Sequence, residues 1–419
     1  MRTRWLQVVV ACLVIVALAG CGGSSNPPPP PPPTTITFTF TNGTPTVAAA
    51  QTGAGAFSTV PLQGNKVTFS VPNGTTKFSL AYVCSPIVLP GLTTSNEFIV
   101  QATTQDGTAF NADCANIPAT SSVSGSVNSS LIAGASDVRI TGNVGFSTSV
   151  GTSGAPFNTP LPTGTNDVAV VAVDGSNNAL AVRMMRSQTV PGALNGGGTI
   201  ILSPSDATTN QTITVNSLPV AFAAATTFAE YRTANGTLVV LYNGPATQYR
   251  TVPAAIAQSG DFYFYDTAAS DIATHKSFVG FLQSTTSGGG SITATLPQAW
   301  SFAGPAPAVF PTFTFNYSGF TSLSNGAQEA TIAWFTSLST VSSITIVATT
   351  SFQNGATTIA IPNLTSISGF LPPATSGTSV SWVADIFGGS GPSLSFLLNV
   401  QPSSGSVSFV QNQGGYTEP

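Results

Sequence analysis

Charged side chains are scarce in this 419-residue chain. Lys, Arg, Asp and Glu together make up 6% of the residues, against about a quarter in ordinary soluble domains. No Lys or Arg follows Lys276. Because binding to nucleic acid requires a basic surface that neutralises phosphates, we expect no nucleic-acid partner.

Histidine is rarer still, since His275 is the only one in the chain. Any Ser-His-acid or Cys-His catalytic arrangement would depend on it. The motifs Gly-x-Ser-x-Gly, Ser-x-x-Lys and His-Glu-x-x-His do not occur. A surface or turn position therefore explains His275 better, and we predict no catalytic residue, no metal site and no cofactor. Any activity would be expected around Asp261, Asp266, Asp271 and His275.

The first twenty residues have the pattern of a secretory leader. Arg2 and Arg4 precede an unbroken apolar run, Val8–Ala19, and small residues follow before Cys21. A charged start, a short apolar stretch and small residues before a cleavage site are typical of a signal peptide. The run is too short for a comfortable transmembrane helix.

The ending Leu18-Ala19-Gly20-Cys21 resembles the lipobox of bacterial lipoproteins. The resemblance implies that residues 1–20 are removed and that Cys21 is acylated, with palmitate among the acyl chains, and holds the protein in a membrane. Gly22, rather than an aspartate, follows the cysteine, and by similarity to Gram-negative sorting signals this implies the outer membrane. An ordinary signal peptide with a chance cysteine is the alternative.

Residues 21–35 read as a linker. Gly22–Asn26 is a short Gly/Ser-rich joint, and Pro27–Pro33 is a run of seven prolines. Polyproline is stiff and extends about 3.1 Å per residue, so this rod spans roughly 20 Å. We interpret it as a spacer between the lipid surface and the folded part.

Two cysteines remain besides Cys12 of the leader and Cys21. Cys84 and Cys114 form an even pair in a chain expected to reach an oxidising compartment, which favours a disulfide. Two free buried thiols or a metal pair are the alternatives, but no His or further Cys lies near enough in sequence to complete a metal site.

The rest of the chain has the pattern of β-structure. Thr35–Thr41 alternates strictly between hydroxyl and apolar side chains, as in a half-buried strand, and similar segments recur between Gly, Pro and Asn turns. Because no stretch shows a sustained helical period with caps, we predict an all-β fold of tandem β-sandwich modules, Ig-like or fibronectin-like. The predicted modules are 36–118, 119–217, 218–304 and 305–419, and the last ends with a predicted strand at 393–400.

Aromatic residues are the best candidates for ligand binding. Tyr263, Tyr265 and Trp300 lie in the third module, and exposed aromatic faces stack on sugars. Burial in a core is the stronger alternative for the two tyrosines, and we expect Trp334 and Trp382 to be core residues.

Short segments spread over the mature chain are similar to uncharacterised secreted bacterial lipoproteins. They are Ala81–Cys84, the second cysteine at 114, Asn166–Ala169, Gly260-Asp261, and the late tryptophans 334 and 382. This similarity implies no known activity.

Two functions follow as expectations. The first is a non-enzymatic, membrane-anchored surface lipoprotein with a structural, adhesive or binding role, whose partners are the membrane and surface glycans or other envelope proteins. The second is a carbohydrate-binding or carbohydrate-processing lipoprotein. Glycoside hydrolysis would need two carboxylates that meet in the fold, and no pair stands out among the fourteen acidic residues.

Overall fold

A computed structural model describes residues 32–89, 91–114, 118–143, 147–320, 325–389, 393–398 and 404–419. The described chain is almost entirely β-strand, with sandwich-type packing between sheets, so the predicted all-β fold class is confirmed. None of its helices is long and apolar enough to cross a membrane. The leader, Cys21 and the first five prolines of the run, 27–31, lie outside the described residues.

Thirty strands follow one another along the described part of the chain. The first ten are β1 (Thr34–Thr41), β2 (Pro45–Thr52), β3 (Ser58–Thr59), β4 (Leu62–Gln63), β5 (Lys66–Val71), β6 (Lys77–Cys84), β7 (Ile87–Leu89), β8 (Leu92–Thr103), β9 (Ala109–Asp113) and β10 (Thr120–Asn128). The next ten are β11 (Asp137–Thr141), β12 (Ser147–Ser149), β13 (Ser153–Pro162), β14 (Gly164–Val173), β15 (Ala179–Val190), β16 (Gly192–Ala193), β17 (Thr199–Ile201), β18 (Thr209–Asn216), β19 (Thr226–Arg232) and β20 (Leu238–Pro245). The last ten are β21 (Gln248–Thr251), β22 (Phe262–Ser270), β23 (Ser277–Thr285), β24 (Ile292–Thr295), β25 (Thr312–Thr314), β26 (Ala327–Ser337), β27 (Thr340–Thr349), β28 (Thr358–Ala360), β29 (Ser379–Gly389) and β30 (Gly405–Thr417).

Helical segments are few and short. The α-helices are α1 (Thr350–Gln353) and α2 (Ser393–Leu398), and the 3₁₀ turns are Leu194–Gly197, Pro204–Asp206 and Ala254–Ile256.

One sheet of thirteen strands forms the centre of the molecule. Its order is β20-β19-β22-β23-β30-β29-β26-β27-β8-β6-β2-β3, with β7 added beside β8. Neighbours are antiparallel except β27 and β8, which are parallel with Thr340 opposite Thr93. This contact joins the C-terminal strands to the N-terminal ones, so the pairing runs across the boundaries expected near residues 118 and 304. The division into four domains stays a prediction.

Smaller sheets cover the large one. The sheet β4-β5-β1-β9 packs on β2, β6 and β8 through Ile36, Phe38, Leu80 and Tyr82, and forms one hydrophobic core. The sheet β21-β18-β24 and the pair β25-β28 contribute to a second, larger core over the rest of the large sheet. Burial of these apolar faces on both sides is what holds the layers together.

Residues 119–217 supply most of a separate sandwich. The sheet β12-β11-β14-β15 packs against a sheet formed by β10, β13, β16 and β17, with a core of its own that includes Val123, Ile140, Val170 and Leu202. The hairpin turn at Asp174–Asn178 joins β14 to β15.

The prediction of a strand at 393–400 is wrong, because residues 393–398, the described part of this segment, form the helix α2. Leu394 and Leu398 are four residues apart and both are buried in the core beneath the N-terminal sheet. Residues at this spacing share one face of a helix. A short apolar run does not distinguish a strand from a buried helix by its pattern alone.

Strand β30 is central in the sheet, although no strand was predicted there. Its end carries Gly414 and Gly415, which weaken a strand pattern. The glycine at 414 is required by packing, because a Cβ at this position would lie 2.5 Å from Cζ2 of Trp382. Trp334 and Trp382 are both core residues, as predicted.

Candidate functional site

A groove of about 590 Å³ lies beside β23 and β30. Strand β23 begins at Ser277, opposite Asn412 of β30, whereas β30 continues to Thr417. The paired register of the two strands therefore stops before β30 ends, and among the described residues no strand takes that place. The groove occupies this gap, bounded by the loop 271–276 and the segment 299–305.

Aromatic rings form the floor of the groove. Trp300 stacks on Phe302 at 4.7 Å and on Phe315 at 5.7 Å between ring centroids. Trp382 meets Phe302 edge to face at 5.3 Å. Glycines at 304 and 414 flank Trp382, and a Cβ on either would lie under 3 Å from its ring. The two tryptophans line the cavity but are 3% and 7% exposed, so their broad faces are covered by protein.

Two amide side chains hold the walls of the groove in place. Asn412 donates to the carbonyl oxygen of Trp300 at 2.9 Å, and Gln413 donates to the carbonyl oxygen of His275 at 3.1 Å. Each amide thus ties β30 to one of the two segments that bound the groove.

Asp271 organises the loop at one side of the groove. Its carboxylate accepts backbone hydrogen bonds from Thr274, Lys276 and Ser277 at 2.6–2.9 Å and one from the hydroxyl of Thr274. The bond from the Ser277 N–H is the main cause, with those from Thr274 and Lys276, of a pKa for Asp271 well below its ordinary value. A carboxylate so fully engaged stays ionised and is a poor proton donor or base.

His275 lies at the exposed tip of the same loop, with a positive φ of 53°. Its Nδ1 is 3.5 Å from the hydroxyl oxygen of Ser270, while the carboxylate of Asp271 bonds to other groups. Asp261 and Asp266 have different surroundings again: Asp261 binds Arg186, and burial together with the charge of Glu230 raises the pKa of Asp266 to about 6. The structure does not bring these four residues into one site.

Tyr263 and Tyr265 are core residues, which corrects the expectation of exposed stacking faces. They are 3% and 1% exposed, and their rings stack on each other at 6.0 Å between centroids. Tyr231 and Tyr249 pack on them from neighbouring strands. Burial raises the pKa of Tyr263 to about 12. Of the three predicted ligand-binding residues, only Trp300 reaches the groove.

The predicted disulfide between Cys84 and Cys114 is confirmed. It joins the end of β6 to the residue after β9, with 5.4 Å between the Cα atoms, within the usual range. Both cysteines are buried in the N-terminal core. The bridge therefore links the large sheet to the smaller sheet that covers it.

Sequence reasoning missed most of the groove. Ser277, Asn412 and Gln413 line it together with Gly414 and Gly415, and these are small or amide residues with no motif. They come together only because β23 stops short of the end of β30. The one local signal for the groove was the polar, glycine-containing sequence at the end of β30.

A buried ion network was also missed. It joins the sandwich of residues 119–217 to the part of the large sheet around β19 and β22. Arg186 on β15 pairs with Asp167 at 2.9 Å and with Asp261 at 2.5 Å. Asp261 also accepts from the hydroxyl of Tyr231 and from the N–H of Ala234. Desolvation is the largest influence on the pKa of Asp261, but these bonds outweigh it and lower the pKa. Arg186 is the one cation between the two carboxylates and bonds to both of them.

Metal ligands do not gather in the described residues: no group of three His, Cys, Asp or Glu side chains there could hold an ion. At the Asp174–Asn178 turn, Asp174 accepts from the N–H groups of Ser176 and Asn178, both at 2.9 Å. These are the bonds of a hairpin turn.

Neither a protein-family model nor a curated protein matches the chain. Among solved structures, the TIE protein of Bacillus anthracis aligns with 64% of this chain at 10% identity and a TM-score of 0.16. The alignment spans about half of that protein, 51% of its length. A DUF3823 family protein from Bacteroides ovatus aligns with 37% of this chain and 92% of its own, at 12% identity and a TM-score of 0.13.

Proposed function

We propose that this protein is a lipid-anchored, non-enzymatic lipoprotein of the bacterial envelope, held in the outer membrane, with a structural, adhesive or binding role. The observation that carries the proposal is the buried disulfide between Cys84 and Cys114. Disulfides persist in oxidising compartments, and the leader ending at Cys21 is the route to one.

The physical logic of the anchor is straightforward. Each methylene of an acyl chain that enters the bilayer contributes about 0.8 kcal/mol, so two or more chains hold the protein effectively without release. The proline rod then spaces the folded part, which begins with β1 at Thr34, from the lipid surface.

The test is membrane partitioning of the Cys21→Ala variant in a Gram-negative host, with labelled palmitate as the readout. Wild-type protein should carry the label and stay with the membranes after a salt wash, whereas the variant should be unlabelled and soluble. Cys12→Ala is the matched control and should behave as wild type, because this cysteine lies in the leader. A Cys21→Ala protein that remains membrane-bound after the wash would contradict the anchor.

The absence of catalysis is part of the proposal and is supported by the chemistry of the groove. Asp271 is the one carboxylate among the described groove residues, and its oxygens are taken by the loop. Hydrolysis of a glycoside by the usual mechanisms needs two carboxylates on either side of the bond. We expect no turnover of polysaccharides or esters by the purified mature chain.

A carbohydrate-binding role is the second candidate function. The groove between β30 and the loop 271–276 favours it, because this cavity combines aromatic edges with neutral amides and hydroxyls. A processing role is not favoured, for the reason just given.

A further inference from the structure

We infer that the groove beside the end of β30 binds a neutral oligosaccharide. This inference rests on the second candidate function and names its site and ligand class. The cavity volume of about 590 Å³ falls within the range of small-molecule sites, about 300–1,000 Å³.

Polar side chains line the groove. Ser301 is exposed on its wall and carries a hydroxyl that both donates and accepts. The amide residues Asn412 and Gln413 also border the cavity. The hydroxyl of Ser277 makes no hydrogen bond within the described chain, but it is almost fully inaccessible, so a ligand in the groove does not reach it.

The backbone of β30 contributes as well. Strand β23 begins at Ser277, opposite Asn412 of β30. Beyond Asn412, the edge of β30 at Gly414 and Gly415 faces the cavity and has no strand partner on that side. Gly415 is exposed, and peptide groups on an unpaired strand edge both donate and accept. Sugar hydroxyls do the same, which suits them to such an edge.

Charge in the groove selects against ionic ligands. Lys276 and Asp271 bring one charge of each sign, and Asp271 is held by its own loop. A phosphorylated ligand would need several cations, whereas a neutral polyol needs none. The edges of Trp300 and Trp382 supply apolar surface for the C–H faces of a sugar ring.

The experiment uses the full mature chain, solubilised in a detergent without a sugar headgroup. Chitohexaose, cellohexaose and maltohexaose serve as the three probes, each followed by intrinsic fluorescence and by calorimetry. Two of the three tryptophans that remain after leader removal, Trp300 and Trp382, line the groove. Binding should therefore change the fluorescence in a saturable way.

Two variants localise the binding. Ser301→Tyr should weaken it at least about tenfold by filling the groove from an exposed position. Ser301→Ala should weaken it by about three- to tenfold without lowering stability, because it removes only the hydroxyl of an exposed side chain at the cavity wall. Ser259→Tyr is the matched control, since Ser259 is exposed before the start of β22 whereas the groove loop follows its end, and it should bind as wild type.

Either of two results would overturn the inference. One is the absence of saturable binding for all three hexasaccharides, and the other is binding that Ser301→Tyr and Ser301→Ala leave unchanged. Both are independent of the lipid anchor, because palmitate labelling at Cys21 is measured separately.

Discussion

Glu97 is a carboxyl buried without a cation, and its ionisation should contribute to how the stability of the fold depends on pH. It lies on β8 between Val83 and Ile344 of the neighbouring strands and is 2% exposed. The N–H of Leu371, in the loop that covers this face, donates to its Oε2 at 3.0 Å. No ion pair involves Glu97 in the described chain.

Burial raises the pKa of Glu97 from 4.5 to about 7, against the smaller opposite effect of the Leu371 N–H. Because the folded pKa is the higher one, the stabilisation is complete below pH 4.5. It is lost as the pH rises through about 7, where the folded protein must ionise the buried group. This difference in pKa corresponds to a loss of about 3 kcal/mol in the free energy of unfolding between pH values below 4.5 and pH values above about 7.

The Glu97→Gln variant tests this directly, since the amide cannot ionise but can still accept from the Leu371 N–H. We expect the two proteins to differ by less than about 1 kcal/mol at pH 4.5, and the variant to be more stable by about 2–3 kcal/mol at pH 9. Urea unfolding of the mature chain, with the disulfide intact, measures this across the pH range. Hydrogen exchange at the Leu371 amide localises the effect.

A second variant separates charge from packing. Glu97→Ala also removes the acceptor for the Leu371 N–H, so it should lose about 1–3 kcal/mol even at pH 4.5. Parallel pH curves for wild type and Glu97→Gln would refute the reasoning, because they would mean that Glu97 does not titrate with a raised pKa in the folded protein.

Three further outcomes are expected from the structure. Arg186→Met should cost about 3–5 kcal/mol in urea unfolding, because it leaves two buried carboxylates without their cation. Replacing Cys84 and Cys114 together by Ala should lower the free energy of unfolding by about 3–4 kcal/mol, for a sequence separation of 30 residues. Mass spectrometry of unreduced wild type should show the two cysteine peptides linked, and free alkylation of both thiols without denaturant would contradict the bridge. Gly414→Ala should lower stability by about 1–3 kcal/mol and alter tryptophan fluorescence, because its Cβ meets a ring at 2.5 Å, whereas Gly175→Ala, with open space around it, should do neither.

Local patterns predicted the first strand well. The alternating segment Thr35–Thr41 lies within β1 (Thr34–Thr41), because alternation is a local property. The pattern was insufficient at 393–398, where burial of Leu394 and Leu398 on one face produces a helix. It was also insufficient at β30, where glycines needed by Trp382 weaken the strand signal.

The candidate site depended on contacts that no local pattern contains. Tyr263 and Tyr265 have the composition of a binding strand, but the sheet β21-β18-β24 contributes to the core that buries them. The groove gathers Asp271, Asn412 and Trp300 from three separate parts of the chain. Residues so far apart meet only through strand pairing.

By itself, the sequence determined the all-β class, the cysteine pair and the pattern of the leader, because alternation, cysteine count and apolar runs are properties of neighbouring residues. The tertiary structure alone decided that β27 lies beside β8, that the tyrosines are buried and that β30 extends past β23. These depend on which distant strands pair and in which register, and hydrogen-bond pairing between strands is settled by the packing of the whole chain.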